Sequence, residues 1–519
     1  MRGAIVTGRP QQPRAEAVAV DGARITAVGS WADIAPLVGS RTKTLDLGGA
    51  TVTPGLCDAH AHLVGLGLSL AIVDLRGAAS IEEVIDRLRR EAPKTGWVLG
   101  RGWDQNLWPG QAMPTEAPLS AAFPDRPVWL RRVDGHAGWG NLALLRAAGL
   151  DASSAAPAGG EILRDDSGAP TGVLVDAAMD RVPVPSSSAE QVRDAVLAGQ
   201  RQALACGLTG VHEMGIDAAE DQLYRELAAS GELQLRVAAY ATASWLDGDL
   251  LQRRPDPVSP AARYLLRGVK LYADGALGSR GAALLADYSD RAGHRGLMQV
   301  TPTQLLEACR ACLRGGWQVA THAIGDAANR AVLDAYATAQ REIGGSDRRL
   351  RIEHCQIVDP TDIRRFAELG VVASMQPTHA TSDMPWVPDR IGAARLAGAY
   401  AWRRFLDAGA ALCFGSDFPV ERTDVTHGLY AAITRQDAAG TPSGGWLPDQ
   451  RLSLAESIDA FTKGAAYACH RESHLGVLVP GACADLTCFG AVLDEDDPRA
   501  IAAMPIAATI VDGVVAYRA

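Results

Sequence analysis

Eight short strand-like runs alternating with amphipathic helical stretches predict an α/β protein built on a (β/α)8 TIM barrel. Two further observations complete the fold class. Both chain ends are rich in short Val/Ile/Thr runs, which predicts a small β-sandwich domain formed by the N- and C-terminal segments. The stretch between the first and second runs is too long for one crossover helix, which predicts a long insertion after barrel strand 1.

Residues 1–50 contain GAIVTG, AVAVDGARITAVG and TKTLDLGGATVTPG, with Asp21-Gly22 as a hairpin turn signal. The other end repeats this character in LGVLVPGACADLTCFGA and AATIVDGVVAYRA, where Asp512-Gly513 is a second turn. Residues 1–53 and 476–519 are therefore expected to form one composite β domain. Residues 54–475 carry the eight runs TVTPGLCDAH, GLTGVHEM, LQLRVAAYAT, LRGVKLYADG, QVATHAIG, LRIEHCQ, GVVASMQP and ALCFGSD. SAEQVRDAVLAGQRQALACG, TPTQLLEACRACLRGG, NRAVLDAYATAQREIGG and DPTDIRRFAELG show apolar residues at helical spacing between them. Residues 64–200 form the insertion, placed to act as a lid or subdomain, and PVPSSS at 183–188 is a short linker.

With 519 residues the chain exceeds one ordinary core. Hydrophobic content of 47%, charged content of 21% and a net charge of −10 describe a soluble globular protein and disfavour nucleic acid or an anionic membrane as partner. No charged start followed by an apolar run marks a signal peptide, and no apolar run has the length of a membrane span. Nine cysteines, an odd number spread through the chain, fit reduced thiols and a cytoplasmic setting. Cys309 and Cys312 form a CxxC within a helical stretch and are read as helix residues.

His60-Ala61-His62 ends the first run. Residues i and i+2 of a strand share a face, about 6–7 Å apart, so two imidazoles can aim at one metal ion. Reacting residues of such a barrel sit at the C-terminal strand ends. The other ends carry His212-Glu213, Tyr240, Lys270 with Asp274, His322, His354, Gln376 with His379, and Asp417. Only eleven histidines occur in the chain, and four or more at strand ends exceed what packing asks for. Zinc, manganese or iron suits His and carboxylate ligands. A bound divalent metal lowers the pKa of water to about 7, and Asp417 is placed to accept its proton, which points to hydrolysis by metal-activated hydroxide. His379 and Asp383 in QPTHATSDMPW either grip substrate or hold the loop. Arg390 and Arg395 are read as surface or loop ion pairs. Trp103, Trp108, Trp139 and Trp386 either line an apolar substrate pocket or pack the insertion.

TPGLCDAHAHL, GWDQNLWP, DGHAGWGN, GVKLYADGALGS, THAIGD, EHCQ, QPTHATSD and GSDFPV together resemble the amidohydrolase superfamily, and within it the YtcJ-like branch that includes N-substituted formamide deformylase. The resemblance covers almost the whole chain. It implies that His60 and His62 are first-strand metal ligands, that His322 and His354 are ligands on the fifth and sixth strands, and that Asp417 is both ligand and catalytic base. It implies one or two divalent ions, zinc foremost, with Lys270 N-carboxylated as a bridge. The alternative for Lys270 is a salt bridge to Asp274 or another carboxylate. His136 lies in a family motif on the insertion, where it either contacts substrate or orders its loop. The expected activity is cleavage of a carbon–nitrogen bond, amide or formamide in type, in a small molecule, by a chain that pairs as a homodimer. The alternatives are a deaminase, an esterase or lactonase, or a catalytically silent barrel that binds a ligand. THAIGDAANR lacks the glutamate that such deaminases carry after the fifth-strand histidine.

Overall fold

The computed structural model describes residues 1–132, 137–157, 160–345 and 347–519. The chain divides into two compact units, Met1–Gly65 with Gly199–Ala519, and Leu66–Ala198.

The larger unit holds eight parallel strands, each hydrogen-bonded to the next: β1 (Leu56–Ala61), β2 (Leu208–Ile216), β3 (Arg236–Thr242), β4 (Tyr264–Tyr272), β5 (Gln318–Ala323), β6 (Arg351–His354), β7 (Val372–Met375) and β8 (Ala411–Phe414). A strand buried on both faces reads as a near-continuous apolar run, as RVAAYA in β3 does. The ring closes between β8 and β1. Asp417 N–H donates to His60 O at 2.8 Å, and His62 N–H donates to Phe418 O at 2.9 Å. Beneath these, the buried Asp58 carboxylate accepts Ser416 Oγ–H at 2.6 Å and the His60 N–H at 3.0 Å. The fold is the (β/α)8 barrel that the strand count predicts.

Helices return the chain between strands. Pro302–Arg314 starts at a capping box of Thr301 and Gln304, and Ile363–Leu369 stops at Gly370, whose φ of 63° a side chain would disfavour. Cys309 and Cys312 lie buried on the first of these helices, where burial raises both thiol pKa values. All nine cysteines are free. Among the described residues no helix is long and apolar enough to cross a membrane.

The two chain ends share one seven-stranded sheet, in the order Val514–Arg518, Ile506–Val511, Leu486–Phe489, Asp46–Pro54, Arg2–Val6, Arg14–Asp21 and Arg24–Gly29. Its core includes Ile5, Val18, Val52, Leu478 and Leu486. The last hairpin turns at Asp512 and Gly513, with φ of 51° and 74°, the doubly positive pair of a type I′ turn. A buried bidentate pair, Arg236 to Asp485 at 2.6 and 3.0 Å, ties β3 to this sheet.

The smaller unit has its own six-stranded sheet, in the order Gly160–Arg164, Pro170–Asp176, Ala137–Gly140, Val128–Arg132, Val98–Trp103 and Val73–Asp74. Its core stacks Trp103 on Trp108, with ring centroids 5.8 Å apart, and sets Trp139 edge-on to both. Trp103, one of the residues offered as lining a substrate pocket, is 0% exposed, and its indole N–H donates to Leu130 O at 2.8 Å. Its surface and its one polar atom are spent inside this core, so its role is packing. Truncating it to alanine in Trp103→Ala is expected to cost about 3–5 kcal/mol in urea unfolding. A loss under about 1 kcal/mol would contradict the packing role.

Candidate metal centre and active site

At the C-terminal ends of the strands, imidazoles, a carboxylate and a lysine converge on one point. His60 Nε2 lies 3.6 Å from Asp417 Oδ1 and 3.3 Å from Lys270 Nζ, and His62 Nε2 lies 3.1 Å from Asp417 Oδ1. The His354 ring sits 4.7 Å from that of His60 and 4.6 Å from that of His322. His60, His354 and Asp417 each offer a ligand atom, all within 4.8 Å of one another.

Two of these residues reach the site through left-handed backbone. His354 has φ of 78° and Asp417 φ of 63°, conformations uncommon for residues with a Cβ. Strand alternation would send His354 and its neighbour Glu353 to opposite faces. The turn at His354 lets both point inward, as their contacts show.

Hydrogen bonds fix which nitrogen each histidine presents. His60 Nδ1–H donates to Glu353 Oε2 at 2.6 Å, and His354 Nδ1–H donates to Gln376 Oε1 at 2.9 Å. Both neutral rings therefore turn an Nε2 lone pair toward the centre, the tautomer a metal needs. His379 is the reverse: Gln356 Nε2–H donates to its Nδ1 at 3.2 Å, so its Nε2 carries the hydrogen, 3.7 Å from Asp417 Oδ2. His322 Nε2 is buried with no hydrogen-bond partner. Lone pairs without donors, the orphaned Nε2 of His322 and a carboxylate between them fit a divalent metal ion.

The electrostatics agree. Burial, followed by repulsion from Lys270, lowers the pKa of His60 to about 4 and that of His322 to about 3, keeping both neutral. Burial raises that of Asp417, but the imidazoles of His60, His62 and His354 outweigh it and hold the carboxyl well below its ordinary value. Burial lowers the pKa of Lys270 to about 8. Its Nζ lies 5.0 Å over the Tyr272 ring. Asp274, the salt-bridge partner considered for it, accepts instead the N–H groups of Ala283 and Gly325 at 2.8 Å and of Ile324 at 3.0 Å, holding the loops after β4 and β5.

Asp383 accepts the Tyr400 hydroxyl at 2.5 Å, and burial raises its pKa to about 6. Arg390 binds Asp290, and Arg395 binds the carbonyls of Ala286 and Asp287, the loop role expected of them. His136 lies outside the described residues. Sequence reasoning missed Glu353, Arg351 and Tyr272. Arg351 is fully buried and donates to Glu353, Ala59 O, Ser374, His212 and Tyr240. The alternation of Arg351 and Glu353 within a buried strand was the available signal. Tyr272 is 40% exposed, with its ring 5.6 Å from His322.

The chain belongs to the Amidohydrolase family, whose model matches residues 43–517. It is 34% identical to Protein LONG AFTER FAR-RED 3 of Arabidopsis thaliana, covering 99% of this chain and 90% of that one. It is 32% identical to Putative amidohydrolase YtcJ of Bacillus subtilis, over 99% and 98% of the two chains, and so sits in the YtcJ-like group. N-substituted formamide deformylase of Arthrobacter pascens is 29% identical, over 97% and 95%. An uncharacterized metal-dependent hydrolase from Pyrococcus horikoshii superposes with a TM-score of 0.80 at 27% identity, over 100% and 99%. The family and these neighbours support a hydrolase that uses a divalent metal.

Glu353→Gln removes the charge that orients His60 and balances Arg351. It is expected to weaken metal binding about 10–100-fold in chelator competition. Unchanged affinity would mean that His60 is aimed without Glu353.

Proposed function

We propose that this chain hydrolyses a carbon–nitrogen bond of the amide or formamide type in a small molecule. The observation that carries the reading is the convergence of His60, His62, His322, His354, Lys270 and Asp417 on one point at the C-terminal end of the barrel. The likeness to N-substituted formamide deformylase supports the bond type.

His60, His62, His322, His354 and Asp417 would hold one or two ions, zinc foremost, with Lys270 as a further ligand once carboxylated. A divalent ion there would supply Lewis acidity and an acidified water. Addition of CO₂ to the neutral Lys270 amine, forming an N–C bond with loss of one proton, gives a carbamate with two ligand oxygens. Asp417 Oδ2, the oxygen not engaged by His62, takes the proton of the attacking water and returns it to the departing nitrogen. His379 Nε2–H points toward the same space and donates to the carbonyl oxygen of the substrate, stabilising the charge that develops there. Asp383, held by Tyr400, contacts the leaving group. The reading carries with it a homodimer and a cytoplasmic setting, the latter supported by the nine free thiols.

Asp417→Asn is expected to keep its metal by elemental analysis while turnover of N-substituted formamides or N-acyl amines falls by about 10²–10⁴. Near-wild-type turnover would remove Asp417 from the proton transfer. Lys270→Ala is expected to drop metal content from about two ions per chain toward one. Unchanged stoichiometry would leave Lys270 a structural residue.

A further inference from the structure

The carboxylates next to the metal centre are matched by donors. Asp417 lies among imidazoles, Glu353 meets Arg351 and His60, and Asp274 accepts three backbone N–H groups. Asp383 is not matched. Its Oδ2 accepts the Tyr400 hydroxyl, its Oδ1 accepts nothing, and among the described residues it has no ion-pair partner. The arginines that follow it in the chain are engaged elsewhere, Arg390 on Asp290 and Arg395 on backbone carbonyls. Glu421 stands close enough to raise the pKa of Asp383 further, so the local charge is negative.

Two sides fix where Asp383 points. It ends the helix Pro377–Asp383, which leaves β7, and it lies one turn beyond His379 on the same helical face. His379 Nε2 is buried, has no hydrogen-bond partner and lies 3.7 Å from Asp417 Oδ2, so this face looks onto the metal centre. By the helical rise, Asp383 sits about 6 Å further along it. On the other side Tyr400 is 1% exposed and is held by Arg435, whose Nη1 donates to Tyr400 O at 2.9 Å. The Tyr400 hydroxyl thus fixes Oδ2 and leaves Oδ1 of the partly exposed carboxylate free.

The face therefore presents a donor, His379 Nε2–H, and one turn away an acceptor with an unbalanced charge. A neutral leaving group would displace water from Oδ1 and give it neither a hydrogen bond nor a counter-charge, which costs free energy. An ammonium group supplies both. Resting on the amide hydrolysis proposed above, we propose that Asp383 Oδ1 is an ammonium subsite. The substrates are then mono-acylated diamines, amides whose leaving amine carries a second, protonated nitrogen. The carbonyl oxygen lies at His379 and the ammonium at Asp383.

The probes are N-formylputrescine and N-pentylformamide, which share the formyl group and the chain length and differ in a terminal ammonium against a methyl. Affinity is read by calorimetry on the metal-loaded, full-length Asp417→Asn chain, and kcat/KM on the metal-loaded wild type. N-formylputrescine is expected to bind about 10–100-fold more tightly and to gain a similar factor in kcat/KM. Asp383→Asn is expected to bring both ratios close to one, whereas a loosened loop alone would weaken the two probes alike. Equal affinities, tighter binding of N-pentylformamide, or binding of neither would overturn the subsite, and that comparison requires no Asp383 variant to fold. Cation-selective binding without wild-type turnover would support the subsite and overturn the amide reading. Turnover of both probes at equal kcat/KM would do the reverse.

Discussion

The Arg351 guanidinium, sealed inside the barrel, is the constraint on which the site rests. A buried cation is tolerated only when its charge is paired and its donors are used. Arg351 meets this with Glu353 on its own strand and with partners on β1, β2, β3 and β7. Five strands are therefore held around one planar group. Glu353, fixed from below by Arg351, fixes His60 above it through Nδ1. The direction of the His60 lone pair is thus inherited from the packing of the barrel interior. A site that needs its groups held to a fraction of an ångström benefits from such rigid support.

A second layer of control comes from carboxylates that bind backbone. Asp58 clasps the β8 end, Asp274 gathers the loops after β4 and β5, and Glu213 accepts the N–H of Leu63 at 2.5 Å just after His62. Burial raises all three pKa values to about 7. Their work is to hold chain segments, whereas Asp417, surrounded by imidazoles, keeps its charge for the centre. Acidic residues of similar type are thus divided between scaffolding and chemistry by what surrounds them.

Much of this was legible in the sequence. Each barrel strand is a short apolar run with a polar residue at or just past its end, so His60, His62, Lys270, His322, His354 and Asp417 stood out by position together with His212, Tyr240 and Gln376, and the family resemblance separated the expected ligands from the rest. The terminal hairpins were legible because Asp-Gly pairs carry their own turn chemistry. What stayed hidden depends on partners far apart in the chain. Nothing local to Arg351 reveals that it will meet Ala59, His212 and Tyr240. The left-handed turns at His354 and Asp417 are set by the assembled barrel: Asp and His tolerate this region better than most side chains, but no turn signal beside either residue calls for it. The tryptophans of the insertion were ambiguous because an aromatic suits a pocket wall and a core equally. The six-stranded sheet around Trp103 decided for the core. Residues 133–136, His136 among them, lie outside the described structure.

The shared terminal sheet has a consequence for how the protein is made. Strand Asp46–Pro54 emerges from the ribosome early, yet one of its two neighbours, Leu486–Phe489, is among the last segments synthesised. Until then it presents an unpaired edge, the kind of surface on which nascent chains join wrongly. The barrel, whose first strand follows directly, is completed before the sheet that flanks it. Interrupted synthesis would therefore yield a barrel with an exposed strand edge, a species marked for chaperones or for aggregation rather than for catalysis.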